Sequence, residues 1–180
     1  MVTYTGRVVD PCNLQIEDVD INDIAHSLSM QCRFAGHTRE FYSVAQHSIR
    51  VCETVEGAGF ASADVILQAL LHDATEAYVQ DIIRPIKYDT KMKGYRILEE
   101  RVWTVVAQHF NIPLIVFPIV DRADKRALKA ELLQFTKIPH ARYHEWMDDI
   151  EELAPATYCM APDEAEQAFL AEFHRLGGRA

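Results

Sequence analysis

Apolar residues recur every three or four positions along most of the chain, which is the spacing of one buried face of an α-helix. The pattern predicts a first helix that begins after a cap at Asp20. The further predicted helices occupy residues 44–55 after a cap at Ser43, then 63–79, 95–110, 118–135 and 162–176. Strand-like alternation is nearly missing, apart from a short extended piece over residues 5–9. The sequence therefore predicts an all-α fold, a bundle of about six or seven helices.

The segments between these helices are expected to be irregular. Residues 33–42 are predicted to form a loop or helix junction, and residues 81–87 a turn or short extended link, because Pro85 disfavours a helix just before it. Residues 137–157 show the least regular pattern. The chain has no internal repeat, low-complexity tract or Gly/Ser linker, so residues 1–180 are predicted to form a single domain.

Composition places the chain among soluble globular proteins, with 49% apolar and 25% charged residues. No apolar run approaches the roughly 20 residues that span a bilayer. The first residues lack the basic-then-apolar pattern of a signal peptide. We therefore expect a cytoplasmic protein with no membrane partner. Its four cysteines form no CxxC pair and are expected to be reduced thiols.

The net charge of -9 argues against a nucleic-acid polymer as the partner, because wrapping such a polymer requires a basic surface. A small phosphorylated ligand is compatible with this charge. Such a ligand needs only a local basic cluster, which an acidic protein can provide.

The apolar run that begins at Val65 is interrupted by a histidine and two acids, His72, Asp73 and Glu76. At helical spacing His72 and Glu76 lie on one face, one turn apart, with Asp73 beside them. Burying acids in such a run is costly unless they are paired or bind a metal. The motif therefore predicts metal-assisted chemistry.

Three further residues are ambiguous on their own. Asp124 and Glu131 share a mostly apolar face of the helix predicted over residues 118–135. A lone acid there is more often an exposed edge residue or a helix-start charge than a ligand. A histidine such as His47, on a half-buried helix, is more often a hydrogen-bonded core residue. Both alternatives stay open for each of the three.

The order His47, His72-Asp73, Asp124 resembles the ligand order of the HD-domain metal-dependent phosphohydrolases. The likeness extends over roughly residues 3–131, with matching segments at 23–28, 33–34, 41–48, 72–78 and 81–87. These segments are similar to those of a subgroup of the superfamily that is found in phages and bacteria. The subgroup includes 5′-deoxynucleotidases and phage dATP triphosphohydrolases. The resemblance implies an HD-domain helical bundle and one divalent metal ion held by those four residues. Two imidazoles and two carboxylates suit Zn²⁺, Co²⁺, Mn²⁺, Ni²⁺ or Mg²⁺.

The resemblance also implies roles in catalysis and substrate binding. Glu76 matches an acid that positions or deprotonates the attacking water, and Asp81 matches a second acid that orients the sugar or a water. Arg33 and Phe34 match an Arg-Trp pair that grips phosphate and packs near the substrate, with Phe in place of Trp. Lys87 matches a phosphate-binding lysine. Considered without the resemblance, the two cations are equally compatible with solvated surface charges, and Phe34 with a core position.

The sequence departs from the subgroup at the start of the helix over residues 118–135. We expect related sequences to carry a basic residue three positions before the last metal-binding Asp, where this chain has the acid Asp121. The neighbouring Arg122 is the expected substitute in substrate binding.

The resemblance implies hydrolysis of a deoxynucleotide phosphoester by a metal-activated water. We expect a dNTP triphosphohydrolase, acting on dATP, that releases deoxynucleoside and triphosphate. The alternative is a 5′-deoxynucleotidase that converts a dNMP to deoxynucleoside and phosphate. A nucleotide-binding regulatory module without catalysis is a third hypothesis. The family resemblance further implies a homo-oligomer.

Overall fold

The chain folds into helices joined by turns and longer irregular segments, as a computed structural model shows for residues 1–155 and 158–178, the side chains of His140, Glu145 and Trp146 excepted. The α-helices are α1 (Ile21–Met30), α2 (Val44–Gly57), α3 (Ala63–Leu71), α4 (Glu76–Val79), α5 (Arg84–Lys87), α6 (Lys93–His109), α7 (Pro118–Phe135), α8 (His140–Met147) and α9 (Pro162–Arg175). Within the described ranges, β structure is limited to two isolated bridges. The predicted all-α fold is confirmed. No described helix is both long and apolar enough to cross a membrane.

Capping residues set the starts of the helices that matter most for the site. The side chains of Asp20 and Ser43 accept hydrogen bonds from backbone N–H groups in the first turns of α1 and α2. Pro118 and Pro162 occupy the first positions of α7 and α9, where the missing N–H of proline costs nothing. These four predicted helix starts are confirmed.

The continuous helix predicted over residues 63–79 is wrong. α3 ends at Leu71, and a tight turn leads to Glu76, where α4 begins. Backbone bonds three residues apart hold the turn, from Ala74 N to Leu71 O at 2.9 Å and from Glu76 N to Asp73 O at 3.0 Å. The turn keeps right-handed helical torsion angles (φ -60°, ψ -31° at the first residue after α3). The helical spacing of apolar residues therefore continues across the turn between α3 and α4, so the sequence does not reveal the break.

Two segments expected to be irregular contain short helices. Residues 84–87 form the single helical turn α5, which tolerates Pro85 because the proline lies in its first turn. Within residues 137–157, α8 provides two turns of helix. Thr157, the last residue of that predicted segment, lies outside the described residues.

α2 lies at the centre of the fold and packs against α1, α3, α7 and α9. One cluster of buried apolar side chains extends from Val9 to Phe173. Because α2 is covered on several sides, even polar side chains on it are buried, among them Gln46, His47 and Arg50. Buried polar groups are costly without partners, so the neighbouring helices must supply hydrogen-bonding groups for them.

Candidate metal centre

Three helices bring the predicted metal ligands together. α2 carries His47, the turn after α3 carries His72 and Asp73, and α7 carries Asp124. The ligand atoms of His47, His72 and Asp73 all lie within 4.8 Å of one another, so this group could bind a metal ion. Asp124 adjoins the group through His47, with 3.2 Å between its Oδ1 and the imidazole Nε2.

The two imidazoles present free ring nitrogens to this space. His47 Nδ1 bonds to Glu131 Oε1 at 2.8 Å, and His72 Nδ1 bonds to the carbonyl of Ala69 at 2.8 Å. Carboxylate and carbonyl oxygens only accept, so both Nδ1 atoms carry a proton. The buried Nε2 atoms have no hydrogen-bond partner among the described residues.

The carboxylates of Asp73 and Asp124 approach those free nitrogens. Asp73 Oδ2 lies 3.3 Å from His72 Nε2 and 3.7 Å from His47 Nε2. Nitrogen lone pairs and carboxylate oxygens repel one another unless a proton or a metal cation lies between them. This donor set therefore fits a divalent ion, with hydrogen-bonded Nδ1 atoms of the kind that orient metal-binding histidines.

Charges in the site shift the titration of the ligands. Burial lowers the pKa of His47 and Arg33 opposes its protonation, but Glu131 and Asp124 outweigh both and raise the pKa to about 9. Burial alone would raise the pKa of Asp73, whereas His72 and His47 hold it well below its ordinary value. In the absence of a cation, protons thus compensate the negative charge of the cluster.

Glu76 differs from the candidate ligands because its carboxyl forms no ion pair with any residue that the structure describes. The side chain is 8% exposed, and its Oε2 has no hydrogen-bond partner among the described residues. Burial, followed by the charges of Asp73 and Asp81, raises its pKa well above the ordinary value, against the influence of Arg33 and Lys87. A carboxyl with a raised pKa takes up a proton more readily than an ordinary glutamate, which suits a group that transfers protons.

A glutamine on the end of α1 fixes the segment that carries both predicted catalytic acids. Gln31 Nε2 donates to the carbonyl oxygen of Glu76 at 3.1 Å, and its Oε1 accepts from the backbone N–H of Asp81 at 3.2 Å. Between the two acids, Gln80 has φ 71° and ψ 153°, a conformation costly for a residue with a side chain. The backbone is therefore held under local strain where the acids are placed.

Arg33 lies beside the candidate metal ligands rather than at the surface. Its Nη1 is 3.8 Å from Asp73 Oδ2, and its Nε donates to Glu131 Oε2 at 3.0 Å. The guanidinium also lies over the ring of Phe34, 5.5 Å from the ring centroid. Phe34 has a positive φ of 54° and packs against the smaller apolar cluster around Leu132. Of the predicted Arg-Phe pair, Arg33 is thus adjacent to the centre, while Phe34 lies on strained backbone beside it and packs against another cluster.

The remaining predicted substrate residues lie further out. Lys87 donates to Glu99 Oε1 at 2.6 Å, although its charge reaches Glu76 and lowers the pKa of that acid. Arg122 is exposed on α7. It lies two positions before Asp124, a spacing that places the two side chains on different faces of the helix. Its predicted role in substrate binding stays a prediction.

Glu131 is the member of the site that sequence reasoning left undecided. It is fully buried, and it bonds to His47, Arg33 and Tyr42. The only signal in the sequence was its position seven residues after Asp124, on the same helical face. Gln31 gave no signal, because a polar residue at a helix end is ordinary.

Comparison with known proteins finds relatives whose names assign no activity. No family model matches the chain. The chain is 40% identical over 129 residues to the uncharacterized protein YfdR of Escherichia coli, and the aligned region covers 72% of this chain and 68% of YfdR. It is 33% identical over 182 aligned positions to the uncharacterized protein RCAP_rcc00048 of Rhodobacter capsulatus. This second alignment covers 96% of this chain and 92% of that protein.

Proposed function

The chain belongs to the family of YfdR and RCAP_rcc00048, and we propose that it is a metal-dependent hydrolase of deoxynucleotide phosphoesters with an HD-type centre. The observation that carries the proposal is the pair of buried Nε2 atoms of His47 and His72, which have no hydrogen-bond partner among the described residues and face the carboxylates of Asp73 and Asp124. The proposed substrate is a dNTP, dATP in particular, and the products are deoxynucleoside and triphosphate.

A divalent ion bound by these four residues would act as a Lewis acid on a phosphoryl oxygen and would make water more acidic. The protein itself supplies the proton transfer through Glu76. Its Oε2 has no competing partner among the described residues, so this oxygen is available to the attacking water. The raised pKa of Glu76 makes its carboxylate a stronger base than an ordinary glutamate.

Arg33 would neutralise charge on the phosphate. Its Nε is committed to Glu131, which leaves the Nη groups directed towards Asp73 and the centre. Planar guanidinium groups bind phosphate oxygens with defined geometry, and their charge stabilises the transition state as the leaving group departs. Lys87 would add a second cation if its amine exchanged Glu99 for a phosphate oxygen.

A product assay tests the proposal and separates its variants. The purified protein is incubated with each dNTP and each dNMP in the presence of Co²⁺, Mn²⁺, Ni²⁺, Zn²⁺ or Mg²⁺. Deoxynucleoside with triphosphate from dATP supports the proposal, whereas deoxynucleoside with phosphate from dAMP identifies a 5′-deoxynucleotidase. If no nucleotide releases nucleoside with any ion, the enzyme hypothesis is wrong and a nucleotide-binding module becomes the better account.

Substitution Glu76→Gln should separate metal binding from turnover. The amide keeps the size of the side chain but cannot accept the proton, so we expect kcat to fall about 10²- to 10⁴-fold while the metal content stays unchanged. Steady-state kinetics and metal analysis of the same preparation measure both. The matched control is Glu166→Gln, which changes an acid paired with His26 on other helices. Equal kcat in the Glu76→Gln variant and the wild type would contradict the assigned role.

A further inference from the structure

One buried carboxylate connects two functional parts of the site. Glu131 Oε1 accepts from His47 Nδ1 at 2.8 Å and from the hydroxyl of Tyr42 at 3.1 Å. Its Oε2 accepts from Arg33 Nε at 3.0 Å. The side chain is fully buried, so bulk solvent does not reach its oxygens. Both oxygens of this carboxylate thus bond to protein groups, two of them functional candidates.

We propose that Glu131 is a positioning residue that orients a metal ligand and the phosphate-binding arginine together. The inference rests on the proposed function and goes beyond it, because Glu131 is not one of the four proposed ligands and bonds to His47 through Nδ1 rather than Nε2. Since Oε1 can only accept, it fixes a proton of His47 on Nδ1 and leaves Nε2, on the side of Asp124, as the nitrogen that can bind an ion. The same contact fixes the plane of the imidazole ring.

The second carboxylate oxygen of Glu131 orients the side chain of Arg33. By engaging Nε, Glu131 Oε2 holds the plane of the guanidinium and leaves its Nη edge towards the centre, where Nη1 lies 3.8 Å from Asp73 Oδ2. The negative charge also compensates a cation whose side chain is only 12% exposed. Phosphate binding by Arg33 and metal binding by His47 should therefore depend on the same carboxylate.

An amide cannot replace this carboxylate, although it has nearly the same size. If the oxygen of a glutamine faced His47, its NH₂ group would meet the N–H of Arg33, and two donors would oppose each other. If the amide were flipped, its NH₂ would favour an imidazole with the proton on Nε2, which blocks metal binding. Either orientation leaves one partner misplaced.

Cobalt titration of Glu131→Gln tests the inference without any substrate. The visible absorption of bound Co²⁺ reports the affinity of the site and the geometry of its ligands. We expect an affinity 10- to 100-fold lower than that of the wild type, the usual effect of losing a hydrogen bond behind a metal-binding histidine. In kinetic assays of the metal-saturated variant, KM should rise as well, because Arg33 is no longer held.

Two further variants guard against a purely structural effect. Glu131→Asp keeps the charge but is one methylene too short to reach both partners, so we expect a smaller loss of Co²⁺ affinity. The matched control is Asp23→Asn, at another buried carboxylate that accepts two hydrogen bonds, from the backbone N–H and hydroxyl of Thr5. This control should lower the melting temperature and leave the Co²⁺ affinity unchanged.

Circular dichroism shows which Glu131 variants retain the wild-type helical signal. Only the Co²⁺ affinity of such a folded variant is used to test the inference. Wild-type Co²⁺ affinity in a folded Glu131 variant, or no Co²⁺ binding by the wild type, would overturn the inference. Equal affinity losses in Glu131→Gln and Asp23→Asn would also contradict it, since they would indicate a general loss of packing. If affinity falls as expected but no nucleotide is hydrolysed, the proposed function fails while the assignment of Glu131 to the metal site stands.

Discussion

Glu131 should make the metal-free protein sensitive to acid in a defined pH window. Burial raises its pKa, but Arg33 and His47 outweigh burial and lower the pKa from 4.5 to about 2. A carboxylate with a lowered folded-state pKa stabilises the protein above the unfolded-state pKa, and this contribution disappears as the pH falls through the folded-state value. The stabilisation is therefore complete above about pH 5 and is lost between about pH 4.5 and 2.

Denaturant unfolding of metal-free wild type and Glu131→Gln across this range measures the effect. We expect the difference in unfolding free energy to shrink by about 3 kcal/mol on acidification, because each pKa unit corresponds to about 1.4 kcal/mol. Taking the difference between two variants cancels the titration of the acids that lie far from Glu131. A difference independent of pH from 6 to about 2 would show that Glu131 is not held as a carboxylate by these partners.

At the scale of single residues, the sequence reveals a candidate site where polar residues interrupt an apolar run. His72 and Asp73 could be predicted because they interrupt an apolar run, and the structure brings both to the centre. Glu131 could not be decided, because periodicity gives the face of a helix and not the partner across the core. Its partner His47 lies 84 residues away. Gln31 escaped prediction for the same reason, since it acts on a segment about 50 residues later.

At the scale of helices, the cap of α2 should contribute measurably to stability. Ser43 Oγ accepts from the backbone N–H of Gln46 at 3.0 Å and is fully buried. Replacing Ser43 by Ala leaves that N–H without a partner, which should cost about 1–2 kcal/mol and lower Tm by about 2–8 °C. Differential scanning calorimetry measures the change.

The start of α3 provides the matched control for this prediction. Ser62 is the residue before α3, but its hydroxyl bonds to the side chain of Asp64 and makes no capping bond. The exposed Ser62→Ala change should therefore shift Tm by less than the Ser43→Ala change. Equal shifts would mean that the capping bond of Ser43 contributes nothing in the folded protein.

Helix starts were predictable because local side chains determine them, as Asp20, Ser43 and Pro118 show. The break after Leu71 was not predictable, since its tight turn keeps helical torsion angles and the apolar period continues across it. The short helices α5 and α8 were also missed. One or two turns give too few apolar positions for a period to stand out.

At the scale of the whole molecule, metal binding should raise the stability of the fold. An ion that binds only the folded state at 100 times its Kd adds about 2.7 kcal/mol, which corresponds to about 5–11 °C in Tm for a protein of this size. We expect this shift when Co²⁺ or Mn²⁺ is added to chelator-treated protein. The shift should be absent in His72→Ala, which lacks one imidazole of the cluster. A full shift in this variant would indicate that the ion binds elsewhere.

The central position of α2 also has a consequence for the order in which the chain is synthesised. The segment that carries His47, His72 and Asp73 leaves the ribosome well before α7, which carries both Asp124 and Glu131. Until α7 docks on α2, the imidazole of His47 lacks the carboxylate that fixes its proton and its plane. Docking of α7 on α2 completes the oriented site, so a nascent chain would bind an ion strongly only once most of the core can form.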